Sequence, residues 1–325
     1  VKNEAILVTG AGGYIGSHMA DLLKAEGRQV IVLDDFSTGF RDAIRDVKLY
    51  EGSTGDEALV ARIFRENPVA AVIHFASFIS VGESVAEPSK YYENNVSHTL
   101  SLLKQMALHD VKRFIFSSTA AVYGNPTEIP IPEHHPQSPI NPYGLSKWMV
   151  ERALGDFGRA YGMRSVCLRY FNAAGAHPLG HLGERHEPET HLIPLTLRAA
   201  AGRRPQLEVF GNDYPTPDGT CVRDYVHVSD LSAAHLLALD YLMDGGESAA
   251  FNLGNGLGFS VMEVIRTVEE VTGRAVPHAF HPRRAGDPPI LVADSRLAKE
   301  TLGWRPQFSD LKTIVQHAWA WECRS

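Results

Sequence analysis

Tyr143 and Lys147 stand four residues apart in NPYGLSKWMVE (141–151). On a helix that spacing puts both side chains on one face. A free phenol ionises near pH 10, so alone it is a poor base at neutral pH. A neighbouring ammonium and the positive end of a helix both favour the phenolate. Bringing the phenol to neutrality needs about 4 kcal/mol of differential stabilisation, within reach of a partly desolvated pocket. A tyrosine tuned in this way can take and return a proton. A third group, the hydroxyl of Thr119 in FSSTAAVYG (116–124), can hydrogen-bond to the oxygen whose proton Tyr143 handles.

These residues need a frame. Asn141 suits a helix cap and Pro142 the first helical position, and Leu145, Met149 and Val150 continue an apolar repeat. Upstream, apolar strand-like runs alternate with longer amphipathic ones. AILVT (5–9), QVIVLDD (29–35), AAVIHFA (70–76), RFIFSS (113–118) and RSVCLRYFN (164–172) read as strands. Helices are predicted over 14–27, 57–66, 88–109 and from Pro142 onward. Such alternation, with nearly continuous apolar strands, predicts an α/β fold: a doubly wound parallel sheet of the Rossmann type. Thr119 and Tyr143 then fall at the carboxyl ends of strands, where such sheets bind ligands. Beyond about residue 175, loops lengthen and become rich in Pro and Gly. Helices are expected near 191–202, 229–244, 260–272 and 309–322. We read residues 1–175 as a dinucleotide-binding domain and 176–325 as a smaller α/β substrate lobe, with some segments returning to the sheet.

TGAGGYIGSH (9–18) joins the first strand to the first helix, with glycines at 10, 13 and 16. This spacing serves a tight turn, close approach of backbone to a pyrophosphate and tight helix–strand packing. Asp34 ends the second strand, where a carboxylate accepts from a ribose 2′-hydroxyl and would repel a 2′-phosphate. The expected cofactor is NAD, whose oxidised nicotinamide adds a cation beside Tyr143 and whose hydride chemistry calls for a proton partner.

Composition narrows the partners. Of 325 residues, 44% are hydrophobic and 21% charged, and the net charge is −7 with scattered cations, which argues against nucleic acid. Cys167, Cys221 and Cys323 are far apart and odd in number, so a disulfide framework is not expected. No apolar run reaches a membrane span, and AILVTG reads as a core strand starting almost at once. A cytoplasmic enzyme is expected. His186 and His191 in HEPETH are separated by Pro188 and miss the helical spacing of HExxH, so no metal is expected.

The set TGAGGYIGSH, VIHFAS, VGES, YYENNV, FSSTAAVYG, PYGLSK, LRYFNAAGAHP, FGNDYPTPDGT, VRDYVHVSD, FNLGNG and PRRAGD resembles the UDP-glucose (UDP-galactose) 4-epimerases of the extended short-chain dehydrogenase/reductase family, from Ile6 to about Trp321. The resemblance implies a resident NAD, with Tyr143 taking the proton from the sugar O4 and Thr119 and Lys147 assisting. It implies cofactor contacts at Tyr14 and Ile15, at Asp34, Asp35, Phe36, Ser37, Thr38 and Gly39, and at Ser53 and Thr54. Further contacts fall at Phe75, Ala76, Ser77, Asn94, Ser117, Tyr170 and Phe171. For the sugar nucleotide it implies Arg223 and Arg284 on the diphosphate, Asp287 on the uridine ribose, Val209 and Phe210 near the uracil, and Asn172, His191 and Leu192 beside them. Thr119 replaces the family's usual serine. Ser53 stands where many members carry an aspartate, Ile79 where they carry a lysine, and His191 where they carry an asparagine. Leu291 is intermediate between a bulky residue that restricts the sugar pocket and a small one that admits N-acetylated sugars. Epimerases of UDP-N-acetylhexosamines or UDP-glucuronate share the same triad, and a non-catalytic NAD-sensing scaffold is the alternative of a different class. A homodimer packed through helices 88–109 and 143–162 is implied by analogy.

Overall fold

The computed structural model describes residues 4–284 and 287–324. Among them, seven parallel strands form the central sheet: β1 (Ala5–Thr9), β2 (Gln29–Asp34), β3 (Lys48–Glu51), β4 (Val69–His74), β5 (Arg113–Thr119), β6 (Arg164–Tyr170) and β7 (Ala249–Leu253). Their order is β7-β6-β5-β4-β1-β2-β3. It reverses between β1 and β4, and the crevice at such a switch point is where doubly wound sheets take ligands.

Both faces are covered because the strands are apolar on both sides. Even and odd residues of AILVT belong to different cores. Ile6 and Val8 join Met19 and Leu23 of α1 (Tyr14–Ala25) on one face. Ala5 and Leu7 pack with Val60 and Ile63 of α2 (Glu57–Glu66), Leu102 and Met106 of α3 (Thr99–Leu108), and Val150 and Leu154 of α4 (Pro142–Tyr161) on the other. Each fully buried Leu, Ile or Val stabilises the fold by roughly 1.5–3 kcal/mol relative to exposure. A later helix, Val228–Met243, lies against α1, and β7 pairs in parallel with β6, so chain from the second half completes the sheet layer.

The rest of the second half has its own core, built from helices Leu192–Ala200, Val261–Thr272 and Leu311–Glu322 around Leu207 and Val209. Two-stranded and three-stranded pieces, such as Leu207–Phe210 paired with His278–His281, brace it.

Two expectations change in detail. KLYE (48–51) is an edge strand that its composition hides, since Tyr50 alone is buried. The predicted single helix over 88–109 is instead Pro88–Tyr91, a wider turn over Tyr92–His98, and α3. The physical reason is Asn95, which is 1% exposed within that wider turn. Its side chain bonds both backbone groups of Phe78 and the hydroxyl of Ser146, fixing this segment to the β4 loop and to α4.

Candidate active site

The glycine turn assigns a separate task to each glycine. Gly10 has φ +74°, and a Cβ there would come within 2.5 Å of the Ala76 amide nitrogen across the switch point. At Gly16 a Cβ would meet the Gly10 carbonyl oxygen at 2.2 Å, so close packing of helix on turn requires glycine. At Gly13 the nearest atom to such a Cβ is 3.4 Å away, leaving open space in front of the first turn of α1. Tyr14 and Ile15 begin that helix, and the Tyr14 hydroxyl donates to the Gly175 carbonyl at 2.6 Å. An anion in that space would face backbone N–H groups at the positive end of α1.

Asp34 ties the turn to the end of β2. Its Oδ2 accepts from the Gly12 N–H at 2.7 Å and its Oδ1 from the Phe36 N–H at 2.8 Å. Burial raises its pKa, and those two backbone bonds oppose the rise. Each oxygen keeps a second lone pair for a ribose hydroxyl. Gly39 lies so close to Gly12 that a Cβ would meet it at 2.8 Å, which folds the Asp35–Gly39 loop over the turn. Asp35, Ser37 and Thr38 are exposed there. Ser53 faces His98 at 3.2 Å and Thr54 is buried beside it. These residues fit a dinucleotide: a cradle with room before a helix terminus, and a carboxylate one strand away.

The chemistry-bearing residues converge beyond β4 and β5. Asn141 Oδ1 caps α4 by accepting from the Gly144 N–H at 2.8 Å, and Pro142 opens the helix, as its sequence predicts. Tyr143 and Lys147 are both buried, 9% and 2% exposed. The Lys147 ammonium donates to Ser77 Oγ and to the Ser117 carbonyl, each at 2.8 Å, so the ends of β4 and β5 hold it. The Thr119 hydroxyl lies beside the Tyr143 phenol and favours its ionised form. Burial pushes the Tyr143 phenol up, opposed by Thr119, and lowers Lys147 to about 7, opposed by Glu151. The expected lowering of the phenol by the lysine does not appear: burial dominates and Thr119 alone opposes it.

Around this pair, the Tyr170 hydroxyl bonds Ser117 Oγ, and Phe75 packs against His235 at a tilt, with ring centroids 4.8 Å apart. Ala76 follows at the switch point. Asn94 donates to Asn95 Oδ1 at 3.0 Å, and Phe171 packs with Trp148 and Leu291 around Ala120, Val122 and Tyr123. Ile79 is 44% exposed.

The second half contributes cations and aromatic rings. The Arg284 guanidinium lies 4.0 Å over the Phe210 ring, and Arg223 pairs with Asp287. Arg284, Asp287, Tyr214 and Ile290 line a cleft of ≈ 380 Å³ whose opposite wall carries Asn125 and Ile129. Asn172 donates to the Asp224 carbonyl at 3.0 Å. Val209 is 1% exposed and sits in the second core, paired with Phe280, so the structure does not bring this predicted contact to the surface of the cleft. Leu192 packs against that core, and His191 faces Glu184. Of PRRAGD, Ala285 and Gly286 lie outside the described residues.

Sequence reasoning missed Glu151, Asn95 and the carboxylates Glu184 and Glu189 that His186 and His191 meet. Glu151 stands four residues after Lys147, so helical spacing could have found it. Its carboxylate takes Arg169, at 2.6 Å, and the Ser118 hydroxyl. Nothing in the local sequence announces the long-range partners of Asn95.

The model of the NAD dependent epimerase/dehydratase family matches residues 6–254. The chain is 52% identical over 317 residues to the UDP-glucose 4-epimerase of Halalkalibacterium halodurans, covering 98% of this chain and 95% of the relative. It is similar to the crystal structure of UDP-glucose 4-epimerase from Brucella ovis in complex with NAD, with a TM-score of 0.95, 50% identity and 97% of both chains covered. A third likeness is to the Bifidobacterium longum UDP-glucose 4-epimerase in complex with NAD⁺ and UDP, with a TM-score of 0.94, 41% identity, and 99% and 98% covered.

Proposed function

The chain belongs to the NAD-dependent epimerase/dehydratase family, and from that premise we propose that it interconverts UDP-glucose and UDP-galactose by inversion at C4, with Tyr143 as the acid/base. NAD, when bound, supplies the reversible hydride store for oxidation and reduction at C4. The observation that carries the assignment to Tyr143 is its burial next to Thr119, one helical turn from a lysine buried against the ends of β4 and β5. Tyr143 removes the O4 proton and later returns it, and Thr119 shares the hydrogen bond to that oxygen. Lys147 orients the site through Ser77 and Ser117.

The sugar must present either face to the same tyrosine, so the nucleotide has to be anchored away from it. Arg223 and Arg284 suit the diphosphate as planar guanidinium forks, and Asp287 suits the uridine ribose. Arg223 and Asp287 pair with each other, so the two groups suited to diphosphate and ribose lie side by side. Gly10, Gly13, Gly16 and Asp34 hold the dinucleotide at the switch point.

A second reading, that UDP-N-acetylhexosamines are also epimerised, turns on Leu291, whose intermediate size selects neither sugar class and which packs with Trp148 and Phe171 against Ala120, Val122 and Tyr123. The compartment in this reading is the cytoplasm, supported by free thiols at Cys167, Cys221 and Cys323. Among the described residues no helix is long and apolar enough to cross a membrane.

The test is to supply UDP-galactose to the purified protein without added NAD. UDP-glucose is expected, at undiminished yield over many turnovers, and Tyr143→Phe is expected to lower kcat by at least about 10³-fold while the fold survives. A requirement for NAD as a consumed reagent would point to a net dehydrogenase, and no product at all to a scaffold. Unchanged turnover by Tyr143→Phe would overturn the assignment of the acid/base.

A further inference from the structure

Next to Tyr14, and including His191, metal-ligating side chains that the proposed reaction does not use gather in the loop that enters the Leu192–Ala200 helix. Glu184, His186, Glu189 and His191 each offer one ligand atom, and these atoms all lie within 4.8 Å of one another. The expectation against a metal rested on helical spacing. The segment is a loop, and it folds back so that the two imidazoles meet edge to face with ring centroids 5.1 Å apart.

Two details distinguish this group from a finished ion-pair network. The Glu189 side chain is 1% exposed, and its Oε2 makes no hydrogen bond, although His186 Nδ1 is 3.6 Å away. His186 Nδ1 is likewise buried and without a hydrogen bond, 3.3 Å from Glu184 Oε1. Buried polar atoms ordinarily find partners. The other Glu189 oxygen is fixed, accepting from the N–H groups of Thr190 and His191 at 2.8 and 2.9 Å, so the backbone sets where Oε2 points.

The spacing suits a small cation. Ligand atoms about 2.1 Å from a tetrahedral zinc ion lie about 3.4 Å from one another, close to the two separations just given. His191 Nδ1 and Glu184 Oε1 are closer than that and would open to admit the ion. The charge also balances: two buried carboxylates are matched either by two protonated imidazoles or by one divalent cation between neutral ones. Imidazole and carboxylate together favour zinc over magnesium or calcium.

We propose that Glu184, His186, Glu189 and His191 form a structural site for one zinc-class divalent ion. It would pin a loop that already bridges the two halves of the molecule. Arg185 pairs with Asp42 and lies 3.5 Å over the Phe40 ring, while the Glu184 carbonyl accepts from Trp321 Nε1 at 3.0 Å.

The test uses the untagged enzyme with its bound cofactor, treated with EDTA, exchanged into metal-free buffer and titrated with zinc chloride. Bound zinc is measured by elemental analysis after gel filtration, and Tm by calorimetry. One zinc per chain is expected, with Tm rising by about 5 °C at a hundredfold excess over Kd and falling again with EDTA. Glu189→Gln, which preserves shape and the fixed oxygen, is expected to weaken zinc at least about tenfold. Asp21→Asn, in the smaller grouping of Asp21, His177 and His181, is expected to leave stoichiometry unchanged. Should Glu189→Gln fail to fold, His186→Gln takes its place. No retained zinc with an unmoved Tm in the parent enzyme overturns the proposal, as does stoichiometric zinc that folded variants at both positions bind equally well.

Discussion

Burial moves the two members of the Tyr143–Lys147 pair in opposite directions, and both directions disfavour charge. The phenol is held above its ordinary range and the ammonium is brought down to about 7. In the protein alone, the influence that opposes burial at Tyr143 is the Thr119 hydroxyl, so the missing positive charge has to arrive with the oxidised cofactor. Spectrophotometric titration of NAD-free protein, with Tyr143→Phe as the difference, is expected to show no phenolate from this residue at neutral pH. Adding NAD⁺ should bring its ionisation to lower pH; a phenolate already present without NAD would refute this account. Lys147 gives a second signature. Its folded value lies below the unfolded value of about 10.4, so the unfolded chain binds more protons between about pH 7 and 10. The cost of the buried ammonium is fully present below 7 and is relieved as pH rises through that window. Urea melts of NAD-free protein should therefore show a stability gain from Lys147 over this range, one that Lys147→Met lacks. At Thr119, Ser should retain kcat within a few-fold and Val should lower it about 10²-fold, measured on UDP-galactose.

At the scale of elements, α4 does more than carry the pair. Gly144 lets the helix approach the chain after β5, since a Cβ there would come within 2.6 Å of the Ala121 carbonyl oxygen. Two turns on, Glu151 reaches β6 and takes Arg169, with the two side chains only 6% and 7% exposed. Glu151→Ala would leave a buried guanidinium unpaired and is expected to lower stability by about 3 kcal/mol in urea unfolding. A loss no larger than an exposed pair gives would show that the arginine finds water instead. These elements differ in how far the sequence announces them. The strand AILVT and the cap-and-proline start of α4 are local signals: apolar continuity, side-chain oxygen, fixed φ. The glycine turn is local too, and the structure divides its three glycines between turn, open space and packing as their spacing implies. KLYE was illegible because an edge strand with one buried residue has no apolar period to read. The segment 88–109 has helical periodicity throughout, yet Asn95 widens one turn through bonds to Phe78 and Ser146, and such partners distant in sequence leave no trace in local pattern. The loop 184–191 brings Glu184, His186, Glu189 and His191 together in the same way, since spacing rules for helices say nothing about a chain that doubles back.

At the scale of the whole molecule, the helices that cover one face of the sheet leave apolar side chains of their own on the surface. The helices α3 and α4 turn Leu102, Leu103, Met106, Val150 and Leu154 inward, as an amphipathic pair should. They also present apolar side chains outward: Leu100, Leu108, Met149 and Tyr161 are 36%, 68%, 41% and 52% exposed. Several large apolar groups on two helices that share one face of the sheet suit a self-complementary contact better than water. The homodimer we propose buries this face against its copy and keeps Tyr143 and Lys147, which point inward from the same helix, in place. A charge at the centre of such a contact would be desolvated without a partner. Light scattering coupled to gel filtration is expected to give the mass of two chains for the parent protein. Met149→Lys should shift it toward one chain at micromolar concentration, while Lys104→Gln, outside the apolar stripe, should not. A single-chain mass for the parent, or a Met149→Lys dimer as tight as the parent's, would move the interface elsewhere or remove it.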